Sequence, residues 1–198
     1  ETLFNQEQLV VQKRTELVGL DLEKGKVLWN EKTPAFRGMN IMTPCKYKNG
    51  FFASTYGGGS FFLNLSREQE GYQVEQAWKT TVQGYMSTPI LIDKYAYLHL
   101  RNQRVTCIDM ETGKQMWTTR PYGKYWSMVS DGKRILALDS GGTLYLLNAN
   151  PDKFDLVDSR KVSDSSTWAH LATIDGYVFI RSLDKLISLR WAKTSDSP

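Results

Sequence analysis

Short runs of alternating apolar and polar residues, separated by turns rich in Gly, Asn and Asp, fill this chain. In the clearest hairpin, an apolar run at 95–100 is followed by a polar turn at 101–104 and a second run at 105–108. Runs of this kind, rich in Val, Ile, Tyr and Phe, predict antiparallel strands. The same pattern occurs at about 10–20, 51–63, 135–147 and 177–189. Because no stretch has convincing helical periodicity, the chain is predicted to be all-β.

One phrase of the pattern is repeated. Asp21, Gly25-Lys26 and Trp29 return with the same spacing as Asp109, Gly113-Lys114 and Trp117, which puts the second Trp 88 positions after the first (117 minus 29). Trp78 falls between the two copies. A period of about 44 residues that ends in Trp indicates a repeated β unit.

Each unit is predicted to contain four strands. A further short apolar run precedes each hairpin and ends in a turn such as Asn49-Gly50 or Asp131-Gly132. Asn-Gly and Asp-Gly favour the tight turns that join adjacent antiparallel strands. Four-stranded antiparallel units in series are typical of β-propeller blades. Trp29, Trp78 and Trp117 are then expected to fill the wedge between neighbouring blades, each burying roughly 200 Å².

The blade count predicts an incomplete sector. Three blades have all four strands and two have three. The full blades span about 39–78, 84–117 and 124–158, and the partial ones span about 7–29 and 168–191. Residues 1–198 therefore form a single propeller domain or the C-terminal half of a longer one. The two partial blades together have six strands, whereas one blade has four, so joining them does not close the ring. Either the missing half completes the ring, or a homodimer does so through the open blade faces.

Composition and charge exclude some classes of function. The chain has 25 Lys and Arg against 21 Asp and Glu, a net charge of +4, and the two signs are mixed along it. No basic run marks a nucleic-acid arm. There is neither an apolar run of membrane-spanning length nor a signal-peptide pattern at Glu1. Cys45 and Cys107 stand alone, without neighbouring metal ligands, and are predicted to be buried free thiols.

The candidate binding surface is one end of the propeller channel, where the loops that lead into the inner strands meet the turns between second and third strands. When the loops are aligned, Asn40, Tyr85, Tyr125 and Trp168 share one position and are predicted to lie at this mouth. The loops also contribute Trp126 and His170 after that position and Arg37 and Lys124 before it. One turn between second and third strands adds Arg101, Asn102 and Arg104. Acidic residues concentrate in the turns at the opposite end. A basic, aromatic mouth is suited to a partner or an anionic ligand. Simple plugging of the channel by the aromatic residues is the alternative.

A family resemblance supports this fold. The pattern Asp-x-x-Thr-Gly-Lys-x-x-Trp at 109–117 resembles the tryptophan-docking repeat of the pyrroloquinoline-quinone (PQQ)-like β-propellers. That superfamily includes quinoprotein alcohol dehydrogenases and BamB-type outer-membrane assembly lipoproteins. The stretches 35–44, 83–89, 99–104 and 167–171 are similar to those of PQQ-like repeat proteins of bacteria such as planctomycetes. The resemblance implies a propeller that is exported to the periplasm or secreted.

The resemblance does not carry over the dehydrogenase chemistry. Those enzymes need a Ca²⁺ beside the quinone, and Ca²⁺ takes six or more oxygen ligands. The aligned mouth positions offer the amides of Asn40, Gln83 and Gln103 but no carboxylate, and the vicinal disulfide typical of those enzymes is absent. His170 has no neighbouring carboxylate to orient it as a base. No catalytic residue, metal or cofactor is therefore predicted.

The expected function is that of a non-catalytic scaffold in an exported bacterial protein. Such a scaffold would bind a protein partner, the missing half of the propeller or a ligand, but neither nucleic acid nor the membrane directly. The alternative is part of an oxidoreductase that depends on PQQ and Ca²⁺. A third possibility is a structural or sensor module attached to another domain.

Overall fold

The computed structural model describes residues 1–69 and 71–191, in which nineteen strands form five antiparallel sheets. Sheet 1 contains β1 (Thr2–Leu3), β2 (Gln6–Gln12), β3 (Glu16–Asp21) and β4 (Val27–Lys32). Sheet 2 contains β5 (Cys45–Tyr47), β6 (Gly50–Thr55), β7 (Gly59–Glu68) and β8 (Gly71–Thr80). Sheet 3 contains β9 (Ile90–Ile92), β10 (Tyr95–His99), β11 (Val105–Asp109) and β12 (Gln115–Thr118). Sheet 4 contains β13 (Ser127–Ser130), β14 (Arg134–Leu138), β15 (Thr143–Asn148) and β16 (Asp155–Lys161). Sheet 5 contains β17 (Ala172–Ile174), β18 (Tyr177–Arg181) and β19 (Leu186–Arg190).

Every sheet is a meander in which each strand pairs with the next one along the chain. This confirms the predicted all-β fold of antiparallel blades. In the turn before the outer strand, Oδ1 of Asp21, and likewise of Asp109, accepts two backbone N–H groups of its own turn. Gly25 and Gly113 close these turns with φ values of 64° and 71°, a region that disfavours side chains.

Two local features were not anticipated. Thr2–Leu3 pairs with the start of β2, so sheet 1 has a very short fourth strand where three were expected. Phe36–Gly38 forms a single 3₁₀ turn, in which Arg37 has a φ of 52°. That turn shapes the loop between sheets 1 and 2, and so sets the position of Phe36 and Arg37.

The core is divided among the junctions between neighbouring sheets. One cluster of buried side chains joins each successive pair of sheets. Sheets 1 and 2 are joined by Leu17, Trp29, Phe51 and Phe61, and sheets 2 and 3 by Phe52, Phe62, Leu98 and Ile108. Sheets 3 and 4 are joined by Tyr97, Cys107, Trp126 and Tyr145, and sheets 4 and 5 by Leu136, Leu138, Leu144, Leu171, Val178 and Ile180. No such cluster joins sheet 5 to sheet 1 within the described residues. The sheets thus form an open sector, as predicted. Whether 1–198 is one domain or half of a larger one stays a prediction.

The two cysteines are free, and they lie in different sheets. Burial raises the pKa of Cys107 to about 12 and that of Cys45 to about 11. Both thiols are therefore protonated at neutral pH, which makes them unreactive packing residues.

Candidate functional site

Five aromatic side chains form a continuous row along one end of the sheets. Their rings follow one another with centroid distances of 5.6, 5.5, 5.4 and 4.7 Å, in the order Phe36, Tyr56, Tyr85, Tyr125 and Trp168. We call these five residues the aromatic row. Tyr85, Tyr125 and Trp168 come from the loops that lead into sheets 3, 4 and 5, as the sequence alignment of those loops predicted. Phe36 comes from the loop before sheet 2, and Tyr56 from the turn between β6 and β7.

Cationic side chains lie against this row. The Arg37 guanidinium is 5.1 Å from the ring centre of Phe36, and the Arg101 guanidinium is 4.4 Å from that of Tyr56. Lys124 is exposed beside Tyr125. Among the described residues, none of these three cations has a carboxylate within 4 Å, whereas Lys13 nearby is paired with Glu16 at 2.6 Å. The row therefore carries a net positive charge that is available to a partner.

A cavity of about 240 Å³ opens in the middle of the row. Its lining consists of Tyr56, Tyr85, His99, Leu100, Arg101, Gln103, Lys124 and Tyr125. The hydrogen bond with the Tyr125 hydroxyl raises the pKa of the neighbouring Tyr85 phenol, so the Tyr85 phenol is protonated at neutral pH. The cavity thus presents aromatic walls, two cations and hydroxyl groups that both donate and accept hydrogen bonds.

His99 forms the floor of this cavity and is 2% exposed. Burial lowers its pKa to about 4, so the ring is neutral at pH 7. Nε2 lies 3.3 Å from the Gly123 carbonyl oxygen and carries the proton donated to it, which leaves Nδ1 as an acceptor. Among the described residues Nδ1 has no hydrogen-bond partner. His99 was not among the predicted mouth residues.

The structure moves Trp126 away from the predicted mouth. Its side chain is 1% exposed and stacks between His99 and Tyr145, at ring distances of 5.5 and 4.8 Å. The residue before it, Tyr125, has a left-handed φ of 53°, which changes the path of the chain just before Trp126. Trp126 is a core residue of the junction between sheets 3 and 4, which corrects its assignment to the binding surface.

Other predicted mouth residues have structural contacts. Asn40 is not in the row, because its Nδ2 donates to the carbonyl oxygens of Lys13 and Arg14 and ties the loop to sheet 1. Arg104 donates to the Thr119 carbonyl oxygen at 2.6 Å, and Asn102 accepts from the Arg104 backbone N–H. His170 is exposed, with Nδ1 3.1 Å from the carbonyl oxygen of its neighbour Leu171.

The three repeat tryptophans lie at three successive junctions. Trp78 donates its indole N–H to the Met110 carbonyl oxygen of sheet 3 at 2.8 Å, and Trp117 donates to the Asn150 carbonyl oxygen beyond β15 at 3.0 Å. Trp29 stacks on Phe51 of sheet 2 but donates within its own sheet, to Gln8 Oε1 at 2.7 Å. Each indole therefore contacts the sheet that follows its own.

Comparison with known proteins identifies the family. A sequence model of the family described as outer membrane protein assembly factor BamB matches residues 1–119, more than half of the chain. The chain belongs to this family. No curated protein sequence gives a significant match.

Solved structures agree with the BamB-family fold. BamB from Moraxella catarrhalis superposes with a TM-score of 0.73 at 14% identity, over 100% of this chain and 58% of that one. Citrobacter koseri AztD gives a TM-score of 0.60 at 14% identity, over 98% and 58% of the two chains. The β-propeller domain of Myceliophteria thermophila Cps50 gives 0.65 at 11%, over 92% and 65%. At these identities the likeness shows the fold alone, and the chain spans less than two thirds of each of these structures.

The site does not fit the calcium and quinone of the dehydrogenases in the same superfamily. The lining of the cavity at the aromatic row contains no carboxylate. Nowhere among residues 1–69 and 71–191 do three His, Cys, Asp or Glu side chains come together as metal ligands do. The residues present suit the binding of an anion rather than of a cation. In the same part of the chain no helix is long and apolar enough to cross a membrane.

Proposed function

We propose that this BamB-family chain is a non-catalytic scaffold that binds an acidic segment of a protein partner along the aromatic row. The observation that carries the proposal is a row of five rings with Arg37 and Arg101 packed against it and Lys124 in the lining of its cavity. None of these three cations has a carboxylate within 4 Å among the described residues. Aromatic and Arg side chains supply much of the binding energy in protein interfaces. The family's description as an assembly factor supports a role in protein interaction.

The exposure of the row supports recognition rather than plugging. Trp168 and Phe36, at its two ends, are 59% and 51% exposed, and Met86, which follows Tyr85 in the sequence, is 40% exposed. Large apolar side chains grouped in this way around cations mark interaction surfaces. The row runs across the sheets, so it suits an extended segment that lies over several of them in succession.

The proposal includes an exported location, either periplasmic or secreted. It is supported by the words "outer membrane" in the description of the family. The partner is then a protein of the same compartment or further propeller blades that complete the sector. Trp29, Trp78 and Trp117 are proposed to dock each sheet on the next and so to keep the row in order.

Charge reversal at the row tests the proposal. In Arg101→Glu with Lys124→Glu, binding of a fluorescein-labelled peptide of alternating Glu and Phe should weaken at least about tenfold, because two attractive contacts become repulsive. Arg104 is spared since it supports the Thr119 loop. Fluorescence anisotropy measures the affinity, and added salt should weaken the wild-type complex.

A matched control reverses two exposed cations at the opposite end of the sheets, Lys24→Glu with Lys133→Glu, and gives the same net charge. This variant should keep most of the wild-type affinity. Equal losses in the two double variants would show that only net charge matters, and the proposed site would be wrong. Circular dichroism verifies that both variants are folded.

A further inference from the structure

A second cavity, of about 340 Å³, lies between sheets 4 and 5 and is separate from the aromatic row. Its walls are formed by Val129, Leu136 and Leu146 of sheet 4, by Thr173 and Val178 of sheet 5, and by Trp191, which follows β19. Its rim carries Ser130, Asp131, Arg134 and the turn 174–177. A volume of this size lies within the range of small-molecule sites, which begins at about 300 Å³. Its walls are mainly apolar.

Strand register shows what fills the same place elsewhere. In sheet 2, Phe52 pairs with Phe62 and Phe62 with Trp78, immediately before a bulge. In sheet 4, Leu136 pairs with Leu146 and Leu146 with Asp158, immediately before the equivalent bulge. Asp158 therefore stands where the earlier repeats have a tryptophan. Leu136 and Leu146, which line the cavity, stand where two phenylalanines hold the indole of Trp78.

The geometry points to a binding site for a planar aromatic molecule of the size of indole in this cavity. Three junctions of the chain contain an indole ring from the outer strand, and this junction lacks one and has smaller walls. An apolar cavity of this size binds aromatic molecules because water gains too few hydrogen bonds there. The proposed ligand would stack between Leu136 and Leu146 on one side and Val178 and Trp191 on the other.

The charges at the rim narrow the ligand class. Asp131 is paired with Arg134 at 2.9 Å, and two backbone N–H groups, with a smaller effect of the guanidinium, lower the pKa of Asp131 to about 2. Asp175, also at the rim, has no cation within 4 Å among the described residues. The rim is therefore net negative, which favours a neutral or cationic aromatic ligand over an anionic one.

Calorimetric titration of indole into the full 198-residue chain tests this inference. We expect saturable binding of one indole, binding of tryptamine at least as tight, and binding of indoleacetate at least about fivefold weaker. Asp158→Trp should weaken indole binding at least about tenfold, since the new ring occupies the cavity. Leu136→Phe narrows the cavity from another strand and should also weaken indole binding. The result for this variant does not depend on how the ring introduced at position 158 packs.

Ser159→Trp is the matched control, because successive residues of a strand point to opposite faces. It should bind indole within about twofold of wild type. Failure of the full chain to bind indole would overturn the proposal, as would unchanged binding in both Asp158→Trp and Leu136→Phe. Residues 192–198 follow Trp191 directly, so a chain ending at 191 is titrated in parallel. If only the shortened chain binds indole, residues 192–198 occupy the cavity in the full chain, and the proposed ligand site is equally overturned.

Discussion

Two junctions of the molecule, one between sheets 2 and 3 and one between sheets 4 and 5, have different side chains at equivalent positions of their strands. In the first, the Trp78 ring lies 5.9 and 6.1 Å from the rings of Phe52 and Phe62 and is hydrogen-bonded to sheet 3. In the second, Asp158 replaces the ring, the buried cluster is entirely aliphatic, and a cavity remains. The bulge next to the tryptophan position is nevertheless present in both sheets.

This difference separates two roles that coincide in the other repeats. Strand pairing and the bulge are set by the backbone and by the alternating pattern, because they survive without the indole. The indole supplies packing between consecutive sheets, and at Trp78 and Trp117 it also supplies one hydrogen bond between them. A repeat that loses its tryptophan therefore keeps its fold and loses part of its contact with the next repeat.

The largest expected effect comes from emptying the filled junction. Trp78→Ala should lower the free energy of unfolding by roughly 3 to 4 kcal/mol, since it removes the ring and leaves a cavity. The matched change Asp158→Ala should alter it by less than about 0.5 kcal/mol. Urea unfolding followed by circular dichroism measures both. Similar losses in the two variants would remove the distinction between the junctions.

Acid should act on the junction between sheets 3 and 4, which holds His99 against Trp126. The folded-state pKa of His99 is about 4, below its ordinary 6.5, so from pH 6.5 to pH 4 the unfolded chain binds a proton that the folded chain does not. Stability is therefore lost as the pH falls through this window, by about 3 kcal/mol in all. Urea unfolding at pH 7 and pH 4 should show this loss in the wild type and not in His99→Phe.

The exposed His170 provides the control for that experiment. His170→Phe should keep the acid sensitivity of the wild type, because the His170 side chain is exposed to solvent. Equal flattening of the pH dependence by the two substitutions would contradict a specific role for the buried ring.

A smaller loss of stability is expected from substitutions at Gly25 and Gly113, which occupy equivalent turns in two repeats. Gly25 and Gly113 both have positive φ, so alanine costs about 1 kcal/mol of backbone strain at either. A Cβ at Gly113 would also lie 2.7 Å from the Trp78 ring, whereas one at Gly25 would meet nothing within 4 Å. Gly113→Ala should therefore lose about 1 kcal/mol more than Gly25→Ala in thermal unfolding. In a Trp78→Ala background this excess should vanish; an excess that persists would place its cause elsewhere.

The strand pattern was sufficient to predict the fold, because period-2 alternation and the repeated Asp-Gly-Trp phrase are local properties. The aromatic row was only partly predictable. Its rings come both from the loops that lead into the sheets and from a turn between second and third strands. Aligning the loops found Tyr85, Tyr125 and Trp168 but not Phe36 or Tyr56. Aligning the turns between second and third strands would have placed Tyr56 in the position of Arg101.

The error at Trp126 has a different origin, because residue identity alone does not indicate the left-handed φ of the preceding Tyr125. His99 was left out of the predicted mouth for another reason. β10 is buried on both faces, so alternation there does not separate an inner from an outer side and the polarity of His99 is no guide to its exposure. Burial of this kind follows from the neighbouring sheets rather than from the strand itself.

No strand pairing crosses from one sheet to the next in the described residues, so each sheet depends for its stability on side chains of its immediate neighbours. Chains built in this serial way come apart unit by unit, starting where the contact between units is poorest. Because the buried cluster that joins it to sheet 4 is aliphatic and a cavity lies beside that cluster, we expect sheet 5 to detach first and its amides to exchange with solvent before those of the aromatic-filled interior.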